Sequence, residues 1–178
     1  MVRLMGILFS FICLSWVAEA LPGDELYEKL QTAPTAQNAV LPAKDVLDAL
    51  KDSGSGTVDL LMQRVGQAGA NGRFDLAGAL LDRVIQIAPN YTEGWFQRSG
   101  LFLRDKNYGE ALRDLNEVLK LEPRHFPAWY RTGEILESLG SREEAQTAYQ
   151  KALSIHPFLA PAEAGLARLS TRRESLSL

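Results

Sequence analysis

The sequence predicts an all-α fold, an α-solenoid of stacked helical hairpins. Three observations carry that expectation. The stretch GRFDLAGALLDRVIQIAP, Gly72 to Pro89, returns as KNYGEALRDLNEVLKLEP from Lys106 to Pro123 and as GSREEAQTAYQKALSIHP from Gly140 to Pro157. Alanine recurs at 77, 111 and 145 and proline at 89, 123 and 157, so each step is 34 residues. Within a unit the apolar positions follow a helical period. Trp95, Ser99, Phe102 and Leu103 share one face, and Ala111, Leu112, Leu115, Val118 and Leu119 share another.

The first twenty residues stand apart. MVRLMGILFSFICLSWVAEA places Arg3 before an apolar run of 14, Leu4 to Val17, and ends on Ala18-Glu19-Ala20. A basic flank, a run shorter than the ~20 residues of a spanning helix, and an A-x-A site make up a secretory signal peptide. Cleavage after Ala20 is expected, giving a periplasmic or secreted chain; an uncleaved anchor is the alternative. Cys13 does not read as a lipoprotein site, because Ile12 precedes it where a small residue is needed. Removing 1–20 removes the only cysteine. The mature chain then has no thiol for a disulfide, a metal or a nucleophile.

Residues 21–57 lie outside the repeat. Glu25 to Leu30 and Asp45 to Lys51 read as short amphipathic helices, the second with Val46, Leu47 and Leu50 inward, while Pro34 and Pro42 interrupt. Asp52-Ser53-Gly54-Ser55-Gly56 reads as a flexible joint. It is not a phosphate loop, because no Gly-Lys-Ser/Thr follows. The segment is either a solvated leader with a partly docked helix, or a segment that covers the first hairpin or occupies the groove.

Three units follow, 58–91, 92–125 and 126–159. Large apolar residues align at Leu61, Trp95 and Trp129, at Leu81, Leu115 and Tyr149, and at Ile85, Leu119 and Leu153. Phe74 and Tyr108 match, but Arg142 breaks their column. Each unit divides into two helices near Asn71-Gly72, Lys106-Asn107 and Gly140-Ser141. Asn107-x-x-Glu110 and Ser141-x-x-Glu144 are capping-box patterns for the second helices. Alanine belongs where two helices cross closely. Proline ends the second helix by lacking an N–H and disfavouring α geometry before it. One hairpin cannot bury its own apolar face, whereas stacked copies bury each other's.

This period, with its tryptophan, alanine and proline columns, resembles the tetratricopeptide repeat. The resemblance covers residues 58–157. It implies a right-handed α-solenoid of three tetratricopeptide repeats plus a C-terminal capping helix. The usual Leu-Gly pair is Arg64-Val65, Arg98-Ser99 and Thr132-Gly133 here, and Leu61 replaces the first tryptophan. These departures predict looser or shifted packing, most of all in the first hairpin. Residues 160–170 read as the cap, opened by Pro161 and facing the third hairpin with Ala162, Leu166 and Leu169. Residues 171–178, TRRESLSL, read as a frayed tail.

Chemistry-bearing patterns are absent from the sequence. The net charge is −3, with acids and bases interleaved, which is no footprint for nucleic acid. His125 and His156 fall in turns and read as polar loop residues without metal-ligand spacing. No G-x-S-x-G elbow occurs. No enzyme, metal site or cofactor is predicted. Asn90-Tyr91-Thr92 matches a glycosylation pattern that matters only in a eukaryotic secretory pathway.

Recognition remains. The resemblance implies a concave face lined by the first helix of each hairpin. Carried onto this chain, it gives the partner-binding candidates Met62, Gln63, Phe96, Gln97, Arg104, Tyr130, Arg131 and Glu134, with Gly66 and Gly100 leaving space. Met62, Phe96 and Tyr130 would form an apolar stripe that either grips a partner segment or is ordinary packing. The lysine–asparagine clamp some members use for a C-terminal carboxylate is absent. The expected function is a non-enzymatic protein–protein interaction module, an exported adaptor or assembly factor that holds a peptide or helix. The alternative is a self-associating structural subunit of an envelope complex. No membrane contact is expected after signal cleavage.

Overall fold

A computed structural model describes residues 23–175, with side chains for 23–171. The expected signal peptide and its cleavage site lie outside the described residues. Those residues form helices and no strands. The helices are α1 (Asp24–Gln31), α2 (Ala36–Lys51), α3 (Gly56–Ala70), α4 (Phe74–Ile87), α5 (Thr92–Arg104), α6 (Tyr108–Leu121), α7 (Phe126–Ser138), α8 (Arg142–Ile155) and α9 (Ala160–Ser175). Pairs α3–α4, α5–α6 and α7–α8 are the three hairpins, stacked in order, with α9 against α8.

Each hairpin turns by the same device. Gly72, Lys106 and Gly140, 34 residues apart, take positive φ of 69°, 56° and 81°. The next N–H then reaches back to the sixth residue of the closing turn: Arg73 to the Ala68 carbonyl, Asn107 to Phe102 and Ser141 to Leu136. The expected capping boxes form only in part. The Asn107 side chain accepts the Glu110 N–H at 3.5 Å, but Glu110 turns outward to Arg113. The Ser141 side chain caps nothing. The reciprocal half of each box is redundant, because the N–H of Asn107 and that of Ser141 are already bound by the turn.

Packing explains the alanine column: Ala77, Ala111 and Ala145 are all buried. At the departures from Leu-Gly the packing is shifted, as expected, rather than opened at the crossing. Val65, Ser99 and Gly133 shrink along the stack and are all buried, while their partners sixteen residues later are Leu81, Leu115 and Tyr149. Bulk moves from one helix to the other and the crossing stays filled. The hairpins are also tied end to end. The indole N–H of Trp95 donates to the Pro89 carbonyl and that of Trp129 to Pro123, both at 2.8 Å.

The leader departs most from expectation. It docks through four buried residues, Tyr27, Leu30, Ala39 and Val46, away from the first hairpin, and its last helical residue, Lys51, lines the groove between α3 and α5. Pro42 does not interrupt; it lies inside the 16-residue helix α2. The lost N–H is tolerated because Ala39 and Val46, on either side of it, are both buried. Helices α1 and α2 pair and lie along the row of turns joining one hairpin to the next. Tyr27, Leu30, Ala39 and Val46 form one core with Phe126 and Ile155, flanked by Trp129, Phe158 and Leu159. Burying Leu30 and Val46 contributes about 1.5–3 kcal/mol each before ordering entropy. Asp24 pairs with Arg124 at 2.5 Å, and the Arg124 guanidinium lies 4.3 Å from the centre of the Tyr27 ring. At the other end the Tyr91 hydroxyl donates to the Lys51 carbonyl at 2.8 Å.

The cap is longer than expected, since α9 runs to Ser175 and 171–175 is helix rather than frayed tail. Ala162 and Leu169 are buried against the third hairpin. Arg142, which breaks the aromatic column, reaches across to the Leu169 carbonyl. Arg168 of α9 pairs with Glu137 of α7 at 2.8 Å, and the Tyr149 hydroxyl donates to the same carboxylate at 2.7 Å. Among the described residues, no helix is long and apolar enough to cross a membrane.

Candidate functional site

The first helices α3, α5 and α7 carry the candidate columns, and the structure uses them unequally. Between α3 and α5 the surface is open. A cleft of about 340 Å³ is lined by Lys51, Asp59, Met62, Val65, Gly66, Tyr91, Glu93 and Gln97. No atom lies within 4 Å of where a Gly66 Cβ would stand. Gln97 donates to Glu93 at 2.5 Å. Glu93 is only 7% exposed, and burial raises its carboxyl above the usual range. It sits in the first turn of α5, where the helix dipole favours an anion. Met62 and Gln97 were legible as candidates; Glu93 and Tyr91 were not, because they lie at the helix start rather than in the stripe.

Between α5 and α7 the surface is closed from within. The Arg131 guanidinium lies 3.8 Å from the centre of the Phe96 ring, and His125 is 4.7 Å away on a tilted stack. One Arg131 nitrogen donates to the Phe96 carbonyl at 2.7 Å and to the Ser99 hydroxyl at 3.0 Å. Arg131 therefore ties α7 to α5 rather than standing free for a partner. The guanidinium also packs 3.3 Å from where a Gly100 Cβ would stand, so the space expected there is filled.

His125 lies in the turn before α7, as read, but it is not a solvated loop residue. It is 1% exposed and starts α7, its Nδ1 accepting the Ala128 N–H at 3.1 Å. Burial pushes its imidazole down to about 4. The signal was present: a cap-competent side chain just before Phe126-Pro127, with proline in the first helical turn. His156 is half-buried with its Nδ1 unpartnered.

The remaining candidates scatter. Tyr130 donates to Glu134 at 2.6 Å, which with desolvation raises its hydroxyl to about 12. Gln63 is exposed. Arg104 is not brought to the stripe. It stacks on Phe74 at 3.5 Å and pairs with Asp105, beside the turn within the first hairpin. One cluster escaped the sequence reading. Arg98 pairs with Asp114 of α6 and Asp82 of α4, at 2.8 and 2.7 Å, and lies 5.0 Å from the Trp95 ring centre. It joins three helices. Among the described residues, no group of three or more His, Cys, Asp or Glu is arranged to hold a metal.

The tetratricopeptide repeat family model matches residues 98–160. A TPR repeat-containing protein of Rhizobium etli is 33% identical over 134 residues, covering 75% of this chain and 66% of that protein. The chain is a tetratricopeptide repeat protein. Two solved structures share the fold of this tetratricopeptide repeat protein, each at a TM-score of 0.63 and covering 69% of its length. One is the first TPR of Spaghetti (RPAP3) bound to the HSP90 peptide SRMEEVD, 22% identical and covered over 96% of its length. The other is the Sgt2 TPR domain of Aspergillus fumigatus, 19% identical and covered over 83%. The chain spans just under two thirds of the Rhizobium protein and as little as 4% of longer repeat proteins that it matches.

Proposed function

We propose that this tetratricopeptide repeat protein is a non-enzymatic interaction module that holds a segment of a protein partner on its concave side, and that it works after export as an adaptor or assembly factor. One observation carries the groove reading: the cleft between α3 and α5 is open, preformed and part apolar, while the equivalent surface between α5 and α7 is filled by Arg131. Open space with convergent polar groups beside apolar walls is what a binding site requires. The peptide-bound Spaghetti structure supports the reading by its fold. Export rests on the sequence of residues 1–20.

The test is partner capture by in-cell crosslinking from envelope extract, then titration of the identified partner. Met62→Ala is expected to weaken binding by about 1 kcal/mol or more. Arg113→Ala, on the outward side of α6, is expected to bind as the parent does. Loss in the Arg113 variant alone would move the site to the outer face. N-terminal sequencing of the exported protein is expected to begin at Leu21.

Self-association is favoured by a separate observation. Leu60 and Leu76 of the first hairpin remain 48% and 37% exposed, whereas the far end of the stack is covered by α9. A monomeric mass in solution at high concentration would remove that reading.

A further inference from the structure

We propose that the cleft between α3 and α5 is a pocket for one cationic side chain, a lysine or arginine presented by the partner. The inference rests on the groove reading above and adds the chemistry of what enters it.

Among the described residues two carboxylates are strongly buried, and they are provided for differently. Asp114 is 1% exposed and receives two Arg98 nitrogens, both at 2.8 Å. Glu93 is 7% exposed, yet among the described residues no ion pair reaches it; it has the Gln97 amide. Two cations act on it only through space, Lys51 of the same cleft and Arg131, and both have partners of their own. Lys51 bonds Asp48, and Arg131 is held by Phe96 and Ser99. A buried carboxylate without a direct ion pair is costly, because cations acting from a distance repay its desolvation only in part. The dipole at the start of α5 offsets part of that cost and supplies no counter-ion.

The cleft fits the missing partner. Met62, Val65 and Tyr91 make an apolar wall for the methylene stem of lysine or arginine, which buries its stem while its head stays polar. Glu93 lies in the same cleft to meet the head with a charge-assisted hydrogen bond. Asp59, in the same lining, adds a second negative charge and bonds Ser53. Gly66 leaves the approach clear. An acidic side chain would be repelled. A neutral apolar one would fill the space and leave Glu93 unpaired.

The experiment titrates the isotope-labelled full chain with seven-residue polyalanine peptides whose central residue is lysine, arginine, norleucine or glutamate. The lysine and arginine peptides are expected to give saturable amide shifts at Gly66 and Gln97. Their affinity should exceed that of the norleucine peptide about tenfold, the worth of one charge-assisted bond. In Glu93→Gln that preference should vanish while the free protein melts at a higher temperature, since an uncompensated buried charge has been removed. Equal binding of lysine and norleucine peptides, or a preference that survives Glu93→Gln, overturns the cation pocket and leaves the groove standing. Shifts confined to outer-face amides around Arg113 overturn the groove reading itself. Silence from all four peptides overturns the pocket, and the Met62→Ala titration with the captured partner then judges the groove alone.

Discussion

Gly133 and Tyr149 meet so closely that a methyl group on Gly133 would stand 2.6 Å from the Tyr149 ring. Gly165 of α9 approaches the same ring, its Cβ position also 2.6 Å away. The ring is wedged between two glycines, and its hydroxyl reaches Glu137. Gly133→Ala is expected to destabilise by about 1–3 kcal/mol through overpacking. Pairing it with Tyr149→Leu, which copies the residue used in the other hairpins, should recover about 1 kcal/mol or more relative to the sum of the single changes. Urea unfolding of the two singles and the double measures it. Additive effects would mean that the two positions do not share a contact.

His125 gives the fold a pH dependence. Its neutral ring is buried and its folded value is about 4, against 6.5 for the free side chain. Below 6.5 the unfolded chain takes up a proton that the folded chain refuses. Stability is therefore fully present above 6.5 and is lost as pH falls toward 4. The total is roughly 3–4 kcal/mol, from 2.5 pH units at ~1.4 kcal/mol each. Thermal melts across that window should show the fall. His125→Asn keeps a capping acceptor without a titrating ring, so its melting temperature should vary less with pH. An unchanged slope in that variant would assign the effect to other groups.

Lys106 occupies a left-handed position, φ 56°, that glycine fills in the other two hairpins. Its side chain is exposed, so little contact is lost on replacing it. Lys106→Gly should stabilise the protein by about 1 kcal/mol, the cost of that backbone geometry for a residue with a Cβ. Chemical denaturation decides it, and a clear loss of stability would show that the Lys106 side chain contributes more than its exposure indicates.

Leu30 is wholly buried where the leader hairpin meets the third repeat. Leu30→Ala should cost about 2–5 kcal/mol. The expected consequence is local: protease cleavage in the joint at 52–55 should quicken while α5–α8 stay protected. Uniform loss of protection would show that leader and solenoid unfold as one unit.

The solenoid was legible in the sequence because its residues report on each other at a fixed interval. Ala77, Ala111 and Ala145 have the same steric job, so one explanation serves three positions. Residues 24–51 have no second copy to compare with. Their helices are stabilised by Phe126 and Ile155, a hundred positions away, and nothing in a local window around Pro42 reveals that support. The stripe was legible as a column and not as a site. Periodicity placed Met62, Phe96 and Tyr130 on one side. It could not foresee that Arg131, one residue and one repeat beyond Phe96, would fold back and occupy the space. Glu93 went unremarked because an acid in a first helical turn is ordinary, and its 7% exposure is a tertiary fact that a local window does not show.

A stack of hairpins behaves mechanically as a spring, since each unit touches only its neighbours and small rotations between units add along the axis. The leader changes that behaviour. It is fastened near the third repeat by Asp24 and Arg124, a hundred residues apart in the chain, and near the second by Lys51 and Tyr91. A rod held at both ends along one edge of a spring resists bending and unwinding together. A partner held as proposed would therefore be met at nearly fixed curvature, with less conformational freedom left to surrender on binding, and the molecule gains that stiffness through contacts that close late in folding because they are so distant in sequence.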